Sequence, residues 1–245
     1  INISIQPSDF AKLALIIYLA GMLAKYQNNI ADIKNTIIWI ILPVVLVVGL
    51  ILPANLSTAA IIYGSSLIIM FVGRVRLTHL ATIVGGTLLI FAILILAMKI
   101  YPEMGRFGTW QKRIEMYLGS GEESNYQLEQ SKIAIASGGL TGKLPGNSTQ
   151  KNFLPQPYSD FIFAIIIEEY GLIGGGFLVL FYMILLFRGI RIATKSENLF
   201  GALLTFGLSF SLVIQAMINM GVTVGLMPVT GQPLPLISMG GTSLW

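Results

Sequence analysis

The chain has 245 residues, 55% hydrophobic and only 11% charged, with a mean hydropathy of +0.79. Soluble domains carry roughly a quarter charged residues, so this composition excludes a soluble enzyme, a disordered chain and a nucleic-acid binder. The absence of cysteine excludes a disulfide framework and a thiol nucleophile, and a single histidine, His79, leaves little room for a His-rich metal site.

A bilayer core takes about 20 mostly apolar residues per helix. The first predicted span covers residues 10–27, apolar between Lys12 and Lys25, whose long side chains can snorkel to the interface. No residue from Asn35 to Gly73 is charged, but Pro53-Ala54-Asn55-Leu56-Ser57-Thr58 interrupts the run. It therefore predicts two helices, 36–52 and 57–73, joined by a tight hairpin. Spans over 80–100, 161–187 and 199–220 follow. Residues 221–235, rich in Gly, Pro and Thr, read as a re-entrant or loop segment, with a last helix starting near 236. Pro228, Pro233, Pro235, Gly231, Gly240 and Gly241 make this backbone irregular, which is tolerated at membrane depth only where protein buries it or it lines a cavity. The prediction is an all-α polytopic membrane protein with six helices and part of a seventh.

The net charge of +4 reads as membrane orientation rather than a phosphate-binding face. Lys25 and Lys34 flank the first short loop, Arg74 and Arg76 the third, and Arg188, Arg191 and Lys195 the fifth, while the second and sixth carry no Lys or Arg. The odd loops are thus assigned to the cytoplasm, and the long 101–159 segment to the outside. Residue 1 then falls outside without an initiator Met or signal peptide. The expectation is that an odd number of upstream spans precedes it and that the C-terminal end is also truncated.

Most of the acidic residues lie between 101 and 169, so the outer loop is more than a linker. Within it, Tyr126 to Ser137 has helical spacing. Phe153-Leu154-Pro155-Gln156-Pro157 then enforces an extended approach to Ser159-Asp160. One of that pair could be a helix N-cap. Alternatively, Asp160 is a carboxylate at the membrane face, placed to take a proton from a hydroxyl. Glu168 and Glu169 follow two turns deeper, where an acid is costly and by default functional; the plainer reading is pairing with a buried base or backbone group. Lys12, three residues after Asp9, is either a matching cation or a snorkelling lysine. Gln215 and Asn219, spaced i, i+4, suffice as polar glue between helices. His79, between cytoplasmic arginines, reads as a loop residue. Three functions remain open on these grounds: a transferase acting on a lipid-linked substrate at the outer face, a transporter or flippase with Glu168, Glu169, Gln215 and Asn219 along its path, and a scaffold for a partner complex.

Four strings narrow the choice. QPSDFAKL (Gln6 to Leu13), YQLEQSKIAIASGGLTGK (Tyr126 to Lys143), GNSTQKNFLPQPYSDFIFAIIIEEYG (Gly146 to Gly171) and QAMINMGVTVGLMPVTGQPLPLISMGGTS (Gln215 to Ser243) resemble, in order, motifs of the shape, elongation, division and sporulation (SEDS) family. The resemblance implies a ten-span fold, of which residues 1–245 form a single membrane domain with a large extracytoplasmic loop at 101–159. It implies peptidoglycan glycosyltransferase activity, joining lipid II units and releasing undecaprenyl diphosphate, beside a class B penicillin-binding protein transpeptidase and other division or elongation membrane proteins. The place is the bacterial cytoplasmic (inner) membrane.

By the same resemblance Asp160 is the catalytic base. Lys12, Lys132, Lys143, Ser137, Asn147, Gln150, Gln215 and Asn219 are candidate substrate contacts, and Glu168 and Glu169 structural or modulating acids. No resident metal is implied, and a divalent cation such as Mg2+ is left open. The loop wording leans toward the division branch. Departures include Tyr158-Ser159 for His-Thr, Gln156 for Glu, Ile167 for Gly, Leu144-Pro145 for Gly-Leu, and Asn55 where many members have Asp.

Overall fold

The computed structural model describes residues 6–27, 36–100 and 122–239. Lys34, the first part of the 101–159 loop, Gly240, Gly241 and any helix continuing past 239 lie outside the described residues. The elements described are helical, with no strand among them. They are α1 (Pro7–Lys25), a π-helical turn (Ile37–Ile41) running into α2 (Leu42–Ile51), α3 (Leu56–Val72), α4 (Leu77–Ile100), α5 (Glu122–Gly138), a 3-10 turn (Gln150–Asn152), α6 (Ile162–Lys195) and α7 (Leu199–Thr223). By length and apolarity α1, α6 and α7 can each cross a bilayer, and Ile37–Ile51, Leu56–Val72 and Leu77–Leu89 are shorter apolar helices. Large apolar side chains such as Leu46, Leu50, Leu88, Phe177 and Phe187 point away from the protein. In water so many exposed apolar groups would be an aggregation hazard; in a bilayer they meet lipid.

The chain divides into two compact units, one from Pro7–Trp110 and Arg188–Ser211, the other from Ile1–Gln6, Gln111–Phe187 and Leu212–Trp245. The first is built on Leu15, Ile16, Leu19, Leu23, Ile62, Ile69, Met70 and Leu203, all buried. The entry to α2 shows how local chemistry sets a helix. Pro43 has no N–H, so it cannot close the usual bond to the carbonyl four residues back. The turn widens into a π-helix, in which the Leu42 N–H reaches Ile37 O, and the carbonyl of Trp39 accepts instead from the Tyr18 hydroxyl at 3.0 Å. Asn55, extended at φ −153° and ψ 97°, caps α3 by accepting the Thr58 N–H at 3.2 Å. A cap needs only a side-chain oxygen, so asparagine serves here as well as aspartate.

Two expectations change in this part of the chain. His79 is not in a loop: α4 begins at Leu77, and His79 sits in its first turn, 8% exposed, with Nδ1 buried and without a hydrogen-bond partner. Likewise, α6 does not end at 187 but runs on to Lys195, so Arg188, Arg191 and Lys195 stand on the last helical turns rather than in a loop.

The second unit rests on Phe163, Ile167 and Tyr182 of α6 against Val213, Ala216 and Met220 of α7 and Leu234 of the C-terminal segment. Here α6 is interrupted, which the predicted 161–187 span does not anticipate. Gly171 has φ 72° and ψ −175°, a conformation open in practice only to glycine. The break frees backbone groups on both sides, and the segment after α5 takes them. Leu172 N–H donates to Gly139 O (2.9 Å), Ile173 N–H to Leu140 O (3.3 Å), and Lys143 N–H to Glu168 O (2.9 Å).

Candidate functional site

Asp160 lies in the turn that precedes α6. The backbone of this turn is held from elsewhere in its unit. Tyr158 O accepts from Met239 N–H (2.8 Å), Ser159 O from the Ser238 hydroxyl (2.6 Å), and Asp160 O from the Asn219 amide (2.8 Å). Three consecutive carbonyls thus meet three donors from α7 and the C-terminal segment. The Ser159 hydroxyl donates to Asp160 Oδ1 at 3.0 Å. α6 starts at Ile162, and no backbone N–H among the described residues donates to Ser159 Oγ, so Ser159 is not the helix cap the sequence allows. Asp160 is half-buried. Gly231, at φ 64°, brings main chain beside it, since a Cβ there would stand 3.6 Å from Oδ2.

The irregular segment 224–239 is tied to the protein through a small set of side chains, with Gln232, Leu234 and Ser238 buried and Leu226 and Met239 exposed. Asn219 donates its second amide hydrogen to Gln232 O (2.7 Å), Gln215 donates to Pro233 O (3.3 Å), and the Tyr182 hydroxyl donates to Pro235 O. Ser238 Oγ also accepts Leu234 N–H at 2.7 Å. Backbone groups that have no water to turn to must find such partners. Gln215 and Asn219 therefore act as glue of a specific kind. They join α7 to the segment that carries the wall of the Asp160 turn.

Glu168 is the second feature. It is fully buried, and six hydrogen bonds reach its carboxylate. Oε1 accepts from Lys143 Nζ (2.7 Å), Thr149 Oγ1 (2.8 Å), Thr149 N–H (3.1 Å) and Ser137 Oγ (3.3 Å); Oε2 accepts from Ser148 Oγ (2.5 Å) and Gln150 N–H (3.2 Å). Every contact is a donor, which is what an acceptor-only carboxylate requires. Of the two adjacent acids only Glu168 is paired with a base, and that base, Lys143, is partly exposed rather than buried. Glu169 is half-buried and makes no side-chain hydrogen bond or ion pair among the described residues.

The other candidates fall in three places. Lys143, Ser137 and Gln150 are brought together around Glu168, and Asn147 adjoins them, its amide donating to Lys143 O (3.1 Å). Lys132 lies on an exposed face of α5, its Nζ beside Gly225 just beyond the end of α7. A cation there complements the partial negative charge of the helix C-terminus. The neighbouring Ser131 donates to Thr223 O at 2.7 Å. Lys12 belongs to the other unit, on α1, where it is largely buried and 3.8 Å from Asp9. Among the described residues no three His, Cys, Asp or Glu side chains form a metal-binding cluster. Sequence reasoning passed over Ser148, Thr149, Ser238 and Tyr182. Apart from their place in or near the quoted motifs, nothing local distinguishes them.

Comparison with known proteins places the chain in a family. The Stage V sporulation protein E of Bacillus subtilis (strain 168) is 38% identical over 250 residues, covering 98% of this chain and 65% of the relative. "Peptidoglycan glycosyltransferase MrdB" of Escherichia coli (strain K12) is 34% identical over 252 residues, covering 98% and 64%. The chain thus spans about two thirds of the length of these curated relatives. Among solved structures, a chain from work described as "Structural coordination of polymerization and crosslinking by a peptidoglycan synthase complex" matches with a TM-score of 0.71 at 27% identity, over 98% of this chain and 66% of that one. The Thermus thermophilus rod shape determining protein RodA matches with a TM-score of 0.62 at 27% identity, over 98% and 60%. A family model for the cell cycle proteins FtsW, RodA and SpoVE matches residues 1–245. The chain is a multi-pass membrane protein and belongs to the FtsW/RodA/SpoVE family.

Proposed function

We propose that the protein is a peptidoglycan glycosyltransferase that polymerises lipid II at the outer face of the bacterial cytoplasmic membrane, with Asp160 as general base. The observation that carries the reading is the fixation of the Asp160 turn. Three carbonyls are tied to two other segments, while the carboxylate itself is half-buried and oriented by Ser159. A base must be held to within a fraction of an ångström to be effective. The names of the relatives, glycosyltransferase and synthase complex, support the reaction class.

In the proposed step the acceptor sugar hydroxyl gives its proton to Asp160 as its oxygen bonds to the anomeric carbon of the donor. The bond from that carbon to the diphosphate breaks, and undecaprenyl diphosphate leaves with the electron pair. Lys132, in the same unit as Asp160, is the proposed cation for the diphosphate. A class B penicillin-binding protein transpeptidase is the proposed partner, in division or elongation. The positive short-loop charges support an outer placement of 101–159. A flippase reading loses support, because Glu168, one of its two acids, is caged by six donors instead of lining a path.

The test is polymerisation of purified lipid II by the full-length protein with its partner. Asp160→Asn should lower kcat about 10²- to 10⁴-fold, the usual worth of a positioned base. A well-folded, partner-bound Asp160→Asn that polymerises at the normal rate would remove Asp160 from the role. Lipid II translocation in liposomes that survives Asp160→Asn and fails in Glu169→Gln would favour transport.

A further inference from the structure

We propose that the Lys143–Glu168 pair is a latch that fixes the 143–152 loop and, through it, positions the Asp160 turn; Lys143 is a positioning residue and not a contact to the substrate diphosphate. The inference rests on the glycosyltransferase reading for its consequence, but not for its geometry.

The loop is joined to the first helical segment of α6 at main-chain distance. A Cβ at Gly138 would stand 2.1 Å from Ile167 O, one at Gly142 2.2 Å from Glu169 O, and one at Gly171 2.1 Å from Leu140 O. Only glycine lets these backbones approach so closely. That approach brings the buried Glu168 carboxylate under the loop, where it collects donors from residues 137, 143, 148, 149 and 150. The Lys143 ammonium also donates to Thr149 Oγ1 at 3.2 Å, so it is engaged on two sides.

From the carboxylate a continuous set of contacts leads to the proposed base. Glu168 fixes the Gln150 N–H. Gln150 O accepts Phe153 N–H (3.0 Å) and Leu154 N–H (3.1 Å). Leu154 is buried with Phe161 and Ile165, and Val229 packs against them. Phe161 follows Asp160 directly, and Val229 lies two residues before Gly231, which borders the carboxylate. Loosening Glu168 therefore loosens both sides of the Asp160 turn without touching a substrate.

The experiment uses the full-length protein in complex with its partner and has two readouts. The first is hydrogen–deuterium exchange at the Thr149 and Gln150 amides, which donate to the carboxylate. Glu168→Gln should speed it at least about tenfold, as expected for losing a hydrogen bond to a charged group, while Asp160→Asn leaves it unchanged. Should Glu168→Gln fold poorly, Lys143→Met serves the same purpose, because it removes one donor and leaves the others. Unchanged exchange at these amides in folded variants overturns the latch, whatever the activity turns out to be.

The second readout is a double-mutant cycle in lipid II polymerisation. A positioning role predicts that Lys143→Met lowers kcat in the wild-type background and has little further effect in Glu168→Gln. If Lys143→Met instead raises the KM for lipid II by the same factor in both backgrounds, Lys143 meets the substrate and the assignment is wrong. Because the exchange measurement needs no turnover, failure of the glycosyltransferase reading and failure of the latch give different results.

Discussion

Asn219 offers the sharpest test of how the Asp160 turn is held. Its side chain is 1% exposed, and its two amide hydrogens go to Asp160 O and Gln232 O at 2.8 and 2.7 Å. Replacing it by alanine leaves both carbonyls without that donor. In soluble proteins each such loss costs about 1–3 kcal/mol; between membrane helices the measured values are nearer ~0.6, with an upper end of ~2. Asn219 Oδ1 is itself buried without a hydrogen-bond partner, so deleting it offsets part of the cost. A net loss of about 1–3 kcal/mol is expected for Asn219→Ala. At ~2–4 °C per kcal/mol for a chain of this size, thermal unfolding in detergent should show a fall of several degrees. Asn219→Asp should be worse than alanine, since it sets an acceptor against two acceptor oxygens in a buried site. If the turn positions the base, both variants should also lower kcat more than they raise KM. A tolerated Asn219→Asp, with wild-type melting and wild-type polymerisation, would refute the argument, because it would show that neither carbonyl depends on the amide.

Two further substitutions address the same unit. Gly171→Ala puts a Cβ 2.1 Å from Leu140 O at a φ of 72°, a combination of clash and strain that should cost more than ~3 kcal/mol and abolish recovery of folded protein from the membrane, as read by size-exclusion profile. Tyr182→Phe removes one buried hydroxyl from Pro235 O and should cost about 1 kcal/mol, lowering the melting temperature by a few degrees while the protein still folds.

The helices were legible because a bilayer imposes a length and a composition, and both are written locally. The break around Pro53, the cap at Asn55 and the helix over Tyr126 to Ser137 all follow from near neighbours in sequence. What failed to show depends on distant contacts. Gly171 stands in a run with Gly174, Gly175 and Gly176, and nothing local marks it as the one that leaves the helix. The choice is made by Leu140, whose carbonyl approaches where a side chain would be. Glu168 and Glu169 pose the same problem. Successive helical residues differ by about 100° in direction, so one adjacent acid must face the 143–152 loop and the other must not. The sequence flags both as costly, but only the docking of α5 and its following loop decides that Glu168 is the caged one.

The irregular C-terminal segment shows both sides of this. Its abundance of Pro and Gly said that its backbone would need partners, but the i, i+4 spacing of Gln215 and Asn219 read only as glue between helices, not as two of those partners. Tyr182 and Ser238 looked ordinary, because a tyrosine in an apolar helix and a serine after Leu-Ile carry no local sign of need. Yet each fills a backbone demand that the segment itself creates: Pro235 O takes the Tyr182 hydroxyl, and Ser159 O and Leu234 N–H share the Ser238 hydroxyl. A strand or helix satisfies its own backbone, so its sequence describes it. An irregular segment in a membrane is satisfied by side chains elsewhere, so part of its specification is written at positions remote from it. The Asp160 turn is bounded by such a segment, and its geometry therefore rests on residues that no motif around Asp160 contains.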